Sequence, residues 1–377
     1  MTKIPFNRPA YIPESEINIG QAIKSGHLSG DGEFTKRSTL LLETLIGAQK
    51  ALLTTSCTHA LEMTGMLLDL KQGDEVIVPS FTFVSTVNAF VLRGAKPVFI
   101  DIRPDTLNFD ETKLERLITS KTKAIYVVHY AGVACEMDAI NQIAFAHNIP
   151  VVEDNAHGLF GKFRGKNLGT LGALATQSFH ETKNISTGEG GALIINDPQY
   201  NGRAEIIREK GTNRSRFFKG MVDKYTWIDI GSSYLPSEMI AAMLLSQLEA
   251  ADKIQAKRKF VWATYFKELS DWAEKEGVQL PNVPDYCEQP GHLFYLLLPN
   301  LETRTRFISW MKSQDILCVF HYLPLHLSDM GIKLGGSIGD CPVTEDVCDR
   351  LVRLPLFYDL TDDEITRVVK ATKSFVV

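Results

Sequence analysis

The chain has 377 residues, 44% hydrophobic and 23% charged, with 40 basic against 45 acidic side chains and a net charge of −5. That balance suits a folded, water-soluble chain long enough for a large domain and a smaller one, and it leaves no basic field for a nucleic acid. No apolar run approaches the roughly 18 residues that cross a bilayer, and the six scattered cysteines contain no CxxC pair, so neither a metal site nor a disulfide framework is expected. The opening MTKIPFNRPAYIPE lacks the apolar core of a signal peptide, which with reduced thiols points to a cytoplasmic, membrane-free chain.

In chain order, residues 5–30 are rich in Pro and Gly and close on the turn signal His27-Leu28-Ser29-Gly30-Asp31-Gly32. Leucines at 40, 41, 42 and 45 predict a helix over 35–46, and a short strand at 50–53 leads into Thr54-Thr55-Ser56-Cys57-Thr58. Ala60, Leu61, Met63, Leu67 and Leu68 then follow the helical period. Short strands are predicted at 75–79, 97–101, 124–128 and 149–152, with helices near 110–119 and 136–147. The run 173–179 suits a strand buried on both faces, and 192–195 resumes one. A basic loop at 208–224 carries Arg214, Arg216, Lys219 and Lys224, either a solvated face or a contact for a diphosphate. A long helix from 236 to about 274, broken near Asp252, hands over to a second domain. There, strands are expected at 294–298 and 318–322 and helices near 302–313, 344–352 and 361–375. The alternation predicts an α/β fold: a mostly parallel central sheet with helices on both faces over residues 1–250, plus a smaller C-terminal α/β domain over 251–377.

Ligands of such sheets sit beyond the carboxyl ends of the strands. Thr54–Thr58, Phe81–Phe83, Asp154–His157 and His180–Lys183 all fall at predicted strand ends and should converge. Taken singly, each has an ordinary reading. Ser56 is an N-cap as readily as the lip of an anion cup. Lys183, between a buried strand and Thr187-Gly188-Glu189-Gly190-Gly191, is as easily a solvated loop lysine. Together they match what pyridoxal phosphate needs: free N–H groups for its phosphate, a flat aromatic face, a carboxylate for its ring nitrogen and an amine for its aldehyde. Asp154 would supply the carboxylate and Lys183 the amine, its pKa lowered by desolvation. Competing motifs are absent. There is no G-x-G-x-x-G, no P-loop and no G-x-S-x-G, and His180-Glu181 fails as H-E-x-x-H because position 184 is Asn.

On the segments TTSCTHALEM, DEVIVPSFTFVSTVNAFVLRGAKPVFIDI, VVHYAGVACEMDAI, VVEDNAHG, SFHETKN with TGEGG, and FHYLPLH, the chain resembles the DegT/DnrJ/EryC1/StrS sugar aminotransferases over essentially its full length. That resemblance implies a fold type I pyridoxal-phosphate enzyme and an obligate homodimer. It implies Lys183 as the Schiff-base lysine, Asp154 at the pyridine nitrogen and His157 near the phenolic oxygen. It also implies Ser56, Cys57, Thr58 and Ser178 around the phosphate and Phe83 against the ring, with Phe81 the fallback because both rings would point to one side of the strand. Many members lend an Asn from a G-x-N-x-R-M segment to the partner's phosphate. Here the segment reads Gly231-Ser232-Ser233-Tyr234-Leu235-Pro236, with Ser233 in place of Asn and Leu235 in place of Arg. Members acting at C4 of the sugar tend to show S-F-H-x-x-K with T-G-E-G-G, so His180 and Glu189 favour C4. Dehydratases of the family carry His where Lys183 stands. The implied substrates are L-glutamate and dTDP-4-keto-6-deoxy-D-glucose. His321, Tyr322 and His326 would line the sugar pocket, and Arg214 and Lys219 would meet the diphosphate. A GDP-sugar aminotransferase of the perosamine type, or a catalytically silent nucleotide-sugar-binding protein of the same fold, are the alternatives.

Overall fold

The computed structural model of the chain describes residues 2–214, 217 and 220–377. The β-branched runs become β1 (Lys50–Thr54), β2 (Glu75–Pro79), β3 (Lys96–Ile100), β4 (Thr122–Val128) and β5 (Val151–Asp154). The two-residue strands β6 (Lys162–Phe163) and β7 (Lys166–Asn167) follow, then β8 (Leu174–Ser178) and β9 (Gly191–Ile195). The longer strands make one seven-stranded sheet in the order β1-β9-β8-β5-β4-β2-β3. All run the same way except β9, which opposes both of its neighbours, β1 and β8. Parallel neighbours need a crossover, usually helical. The helices Cys57–Leu67, Val84–Val91 and Met137–Ala146 supply those after β1, β2 and β4. The β8–β9 pair is antiparallel, so a short loop joins it, and that loop carries Lys183.

The strands' two-residue period sorts their side chains. Val76, Val78, Ala124, Tyr126 and Val152 pack on one face with the helices Cys57–Leu67 and Val84–Val91. Ile77, Ile125, Val127 and Val151 pack on the other with Met137–Ala146. Over β1 and β9 that second face is covered by the helices Glu14–Lys24, Glu33–Ile46 and Glu238–Glu249 through Ala51, Leu53, Ala192 and Ile194. The result is the mostly parallel sheet between helical layers that the sequence pattern predicts.

The second unit holds β11 (Phe294–Leu297), β12 (Val319–Phe320) and β13 (Leu351–Leu354), paired antiparallel with β13 in the middle, while β10 (Cys287–Glu288) pairs with β6. Its core is built from Tyr265, Phe294, Phe307, Met311 and Val352 beneath the helices Ala251–Glu276, Leu301–Ser313 and Asp362–Lys373. Ile4 is buried in that same core and bridges to Ile316, whereas Ala10 and Ile12 are buried in the large domain. Residues 4–12 therefore run as a strap from one core to the other.

Two expectations need correction. The helix expected over 110–119 is a pair of 3₁₀ turns, Glu111–Lys113 and Glu115–Leu117. Asp110 accepts from Thr112 N at 3.2 Å and Thr112 Oγ1 at 2.6 Å and pairs with Lys113, a local alternative that competes with a regular helix. The break expected near Asp252 in the long helix is present, at Ala250, between Glu238–Glu249 and Ala251–Glu276. The strand expected over 318–322 is only the two residues of β12. Among the described residues no helix is long and apolar enough to cross a membrane.

Candidate active site

The carboxyl ends of β1, β4, β5 and β8 open into a cavity of about 320 Å3. It is lined by Ser56, Cys57, Thr58, Phe83, Asp154, His157, Ser178, His180, Lys183, Glu189, His321 and Tyr322. Twelve of the residues singled out in the sequence thus meet at one place, although they span positions 56 to 322.

At the end of β1 the chain turns into the helix Cys57–Leu67 with Ser56 as N-cap, its Oγ accepting from His59 N at 3.1 Å. The N–H groups of Cys57 and Thr58 have no acceptor among the described residues and stand at the positive end of the helix. Thr58 Oγ1 lies 2.8 Å from Ser85 Oγ, which also lines the cavity. Gly191, the first residue of β9, closes on this turn. A Cβ there would sit 2.4 Å from Cys57 N and 2.4 Å from Ser56 C. The last glycine of the TGEGG turn is thus a packing requirement of the cup. Gly191→Ala is expected to cost about 1–3 kcal/mol of stability through overpacking and to weaken binding of inorganic phosphate or a phosphorylated ligand. Thermal melting and phosphate titration check both parts.

β5 ends in Glu153-Asp154, and the strand's alternation sends the two carboxylates apart. Glu153 turns into the structure, accepting from His129 Nε2 at 2.9 Å and from the N–H groups of Gly169, Leu171 and Gly172 at 2.6–2.7 Å. Asp154, 5% exposed, faces the cavity. Its Oδ2 accepts from Thr86 Oγ1 at 2.7 Å and its Oδ1 from Ala156 N at 3.1 Å. On the neighbouring strand, Thr176 and Ser178 share the cavity side of β8. Thr176 Oγ1 stands 3.5 Å from Cys57 Sγ, and Ser178 lines the cavity. Burial pushes the Cys57 thiol well above its ordinary range, with the Asp154 carboxylate adding to the effect, so it stays protonated.

Lys183 lines the cavity. Burial lowers its pKa from 10.5 to about 8, helped by Arg353 and opposed by Asp154. Desolvation thus moves the amine toward the uncharged form that a nucleophile requires. Above it, His157 stacks on His292 at 4.3 Å and lies 3.5 Å from Tyr322 OH. His157 Nδ1 is buried without a partner. His292 is held by Asn184 Oδ1 at 2.9 Å, and Asn184 in turn donates to Gln255 Oε1 and Pro290 O. His321 Nδ1 stands 3.1 Å from Tyr130 OH. Burial, with Lys183 and Arg353 nearby, drives all three imidazoles well below their usual range. They are neutral.

The two candidate aromatics part company. Phe83 begins the helix Val84–Val91 and lines the cavity with 57% of its surface exposed. Phe81 is 1% exposed and packs edge-on against Tyr130 and Tyr322, so the rings do not share one side as expected. His326 is not in the cavity. It is buried between Ser80 Oγ at 2.6 Å and Glu345 Oε1 at 3.0 Å, tying a small-domain turn to the end of β2. Arg214 also lies outside, 3.2 Å from Glu209 Oε1. Ser233 is exposed on a bridge to Glu209, away from its own chain's cavity. Lys219 falls outside the described residues. His180 and Glu189 face each other across the rim at 3.8 Å. Residues not anticipated are Phe6 and Asn7 of the strap, Ser85, His292 and Arg353.

Among the described residues no cluster of His, Cys, Asp and Glu could hold a metal ion. The profile of the DegT/DnrJ/EryC1/StrS aminotransferase family matches residues 12–373. The chain belongs to that family. This aminotransferase is 35% identical to an uncharacterized protein of Methanocaldococcus jannaschii, over 99% of its own length and 97% of the relative's. It is 30% identical to the spore coat polysaccharide biosynthesis protein SpsC of Bacillus subtilis, again over 99% and 97%. Among solved structures it superposes with a TM-score of 0.91 on a Streptococcus pneumoniae chain described as a sugar aminotransferase in its pyridoxal-phosphate form. The two are 26% identical, with 99% of this chain and 98% of that one covered. The same S. pneumoniae protein is also known in its pyridoxamine-phosphate form. The protein is accordingly a sugar aminotransferase, and its family's cofactor is pyridoxal phosphate.

Proposed function

We propose that the enzyme moves the amino group of L-glutamate to C4 of dTDP-4-keto-6-deoxy-D-glucose, giving dTDP-4-amino-4,6-dideoxy-D-galactose for a cell-surface glycan. The observation that carries the chemistry is a lysine sharing one cavity with a buried carboxylate and a helix start whose first N–H groups have no protein acceptor among the described residues. Those groups fit the cofactor by their own donor and acceptor character. The free N–H groups of Cys57 and Thr58, with Ser56 and Ser178, hold the phosphate. Asp154, accepting only two hydrogen bonds from protein, holds a proton on the ring nitrogen, and the open face of Phe83 stacks on the ring. The orphaned Nδ1 of His157 is an available partner for the phenolic oxygen. Bound there, pyridoxal phosphate supplies an aldehyde for amine exchange and a ring that accepts the electron pair left at the donor's Cα. Lys183 Nζ takes the proton from that Cα and, in the second half of the cycle, delivers one to sugar C4 from a single face, which fixes its configuration.

The choice of C4 and of a dTDP sugar is supported by His180 and Glu189 at the rim and by AEIIREKGTNRSRFFKGMVDKYTWIDIGSSYL, which is similar to the corresponding segment of dTDP-4-amino-4,6-dideoxygalactose transaminase. The B. subtilis relative's role in coat polysaccharide biosynthesis agrees with a glycan destination. A homodimer places the exposed Ser233 segment against a partner's cofactor phosphate.

Purified holoenzyme should absorb in the near-visible and bleach on adding L-glutamate. It should then aminate the dTDP ketosugar far faster than the GDP ketosugar, with NMR showing an axial C4 amine. Preference for the GDP sugar would reassign it to the perosamine type. A protein that bound sugar nucleotide but never bleached would be a binding module.

A further inference from the structure

His292 lines the cavity, and its hydrogen-bond partners decide which of its two nitrogens carries the proton. Pro290 O can only accept, so the Asn184 side-chain atom 2.9 Å from it is the amide nitrogen. Gln255 agrees: its Nε2 is turned to Pro290 O at 3.2 Å, which leaves its Oε1 to accept from the same Asn184 nitrogen at 3.0 Å. Asn184 therefore presents Oδ1, an acceptor, to His292 Nδ1 at 2.9 Å. Nδ1 must carry the hydrogen. Burial keeps the ring neutral, so Nε2 is left with its lone pair. That nitrogen makes no hydrogen bond among the described residues and, unlike His157 Nδ1, is not closed off.

The ring is also held in place. His157 covers one face, stacked at 4.3 Å. From the helix Ala251–Glu276, Arg258 donates to Gly291 O at 3.0 Å and to His292 O at 2.6 Å. Gly291, at φ +64°, lets the chain pass this close, since a Cβ there would lie 2.9 Å from Arg258 C. Asn184 follows Lys183 directly, so the fixed acceptor stands beside the reacting amine. An uncharged acceptor of this kind favours a ligand that brings a neutral donor. L-Glutamate brings none, because its carboxylates are acceptors and its amine is the group exchanged. Phosphate oxygens are acceptors as well. In a 4-keto-6-deoxy sugar the two carbons flanking the carbonyl differ: C5 carries a methyl group and the ring oxygen, whereas C3 carries a hydroxyl. We infer that His292 is a specificity-determining residue whose Nε2 accepts a hydrogen bond from the hydroxyl adjacent to the reacting carbonyl. The cavity is thereby matched to an α-hydroxy ketone, and an analogue without that hydroxyl leaves the lone pair unpaired. This rests on the reading of Lys183 as the cofactor lysine and of the acceptor as a 4-keto-6-deoxy sugar.

The test offers dTDP-4-keto-6-deoxy-D-glucose and its 3-deoxy analogue to the pyridoxamine-loaded enzyme. The wild type should favour the hydroxylated sugar about 30-fold in kcat/KM. His292→Phe keeps a flat ring against His157 but offers no acceptor, and it should lose that preference. H292Q, which can return an oxygen near the place of Nε2, should regain part of it. A wild type without the preference, or an H292F that keeps it at whatever absolute rate, overturns the assignment. Nitrogen NMR of the cofactor-free wild type needs neither turnover nor a variant. His292 should show Nδ1 protonated and Nε2 bare, and the Nε2 resonance should move on adding the hydroxylated sugar but not the 3-deoxy one. The opposite tautomer, or the same movement with both sugars, overturns the assignment. If the NMR result holds while L-glutamate never bleaches the protein, the cofactor reading fails and the role of His292 stands. If bleaching is normal and both sugars act alike, only the role of His292 fails.

Discussion

Replacing Lys183 with methionine is expected to lower transamination by at least about 10⁴-fold, since it removes both the nucleophile and the group that carries the proton. The same change should stabilise the cofactor-free protein, because the lysine is held in a cavity where its charged form is disfavoured. Its pKa is about 8 in the folded chain against an ordinary 10.5, a displacement worth about 2 kcal/mol once cavity water is allowed for. The sign follows from proton linkage. Below pH 8 the amine is charged in both states and the full penalty of holding it in the cavity applies. Between 8 and 10.5 the folded chain holds the neutral amine while the unfolded chain still takes up protons, so the penalty fades as pH rises. The stability gain of K183M should therefore be largest near neutrality and vanish in strong alkali. Denaturant melts at pH 7 and pH 10.5 test it. Arginine at 183 should not restore turnover, because a guanidinium stays protonated throughout. An unchanged turnover in K183M would end the whole reading.

Asp154→Asn is expected to cut turnover about 10³-fold while leaving cofactor bound, the scale found when one fixed electrostatic partner of a reaction is removed. The effect is electronic: a neutral amide cannot keep a proton on the ring nitrogen, and without it the ring draws electrons weakly. There is a structural part as well. Asp154 lies between two donors, Thr86 Oγ1 and Ala156 N. An all-acceptor carboxylate satisfies both, whereas an asparagine presents one N–H₂ to a donor. The Thr86 hydroxyl can turn toward Thr82 Oγ1, 2.9 Å away, which should limit the stability loss to about 1 kcal/mol. Single-turnover bleaching by glutamate separates the two parts, since only the electronic one slows that step.

The sheet was legible because its strands are short β-branched runs, and the site because each of its large-domain pieces follows such a run directly. Helix Glu14–Lys24 was not read, since it is amphipathic in a muted way. Only Ser15 and Ala22 are buried, while Ile17 and Ile23 are exposed. The small-domain wall was the least readable part. His321, Tyr322 and His326 share the one segment FHYLPLH, and sequence alone does not tell a residue turned to a ligand from one turned to Ser80 and Glu345. Arg353 gave a faint signal, one cation in Leu351-Val352-Arg353-Leu354-Pro355. Its meaning depends on the pairing of β13 with β11 and β12 and on a phenylalanine 347 positions earlier folding over it. Such placement follows from long-range assembly that no local pattern encodes.

Asp154 is directly opposite Thr176 in the β5–β8 register, and Ser178 faces Gly191 across β8–β9. The span from carboxylate to phosphate cup is therefore gauged by hydrogen-bonded ladders, not by flexible loops. Deleting or inserting a single amino acid within either ladder would turn Asp154 or Ser178 to the opposite side of the sheet. Sequence drift in this chain should thus tolerate length changes in the exposed turn 337–340 far better than inside β5 or β8, where only exchanges that preserve spacing keep the gauge true.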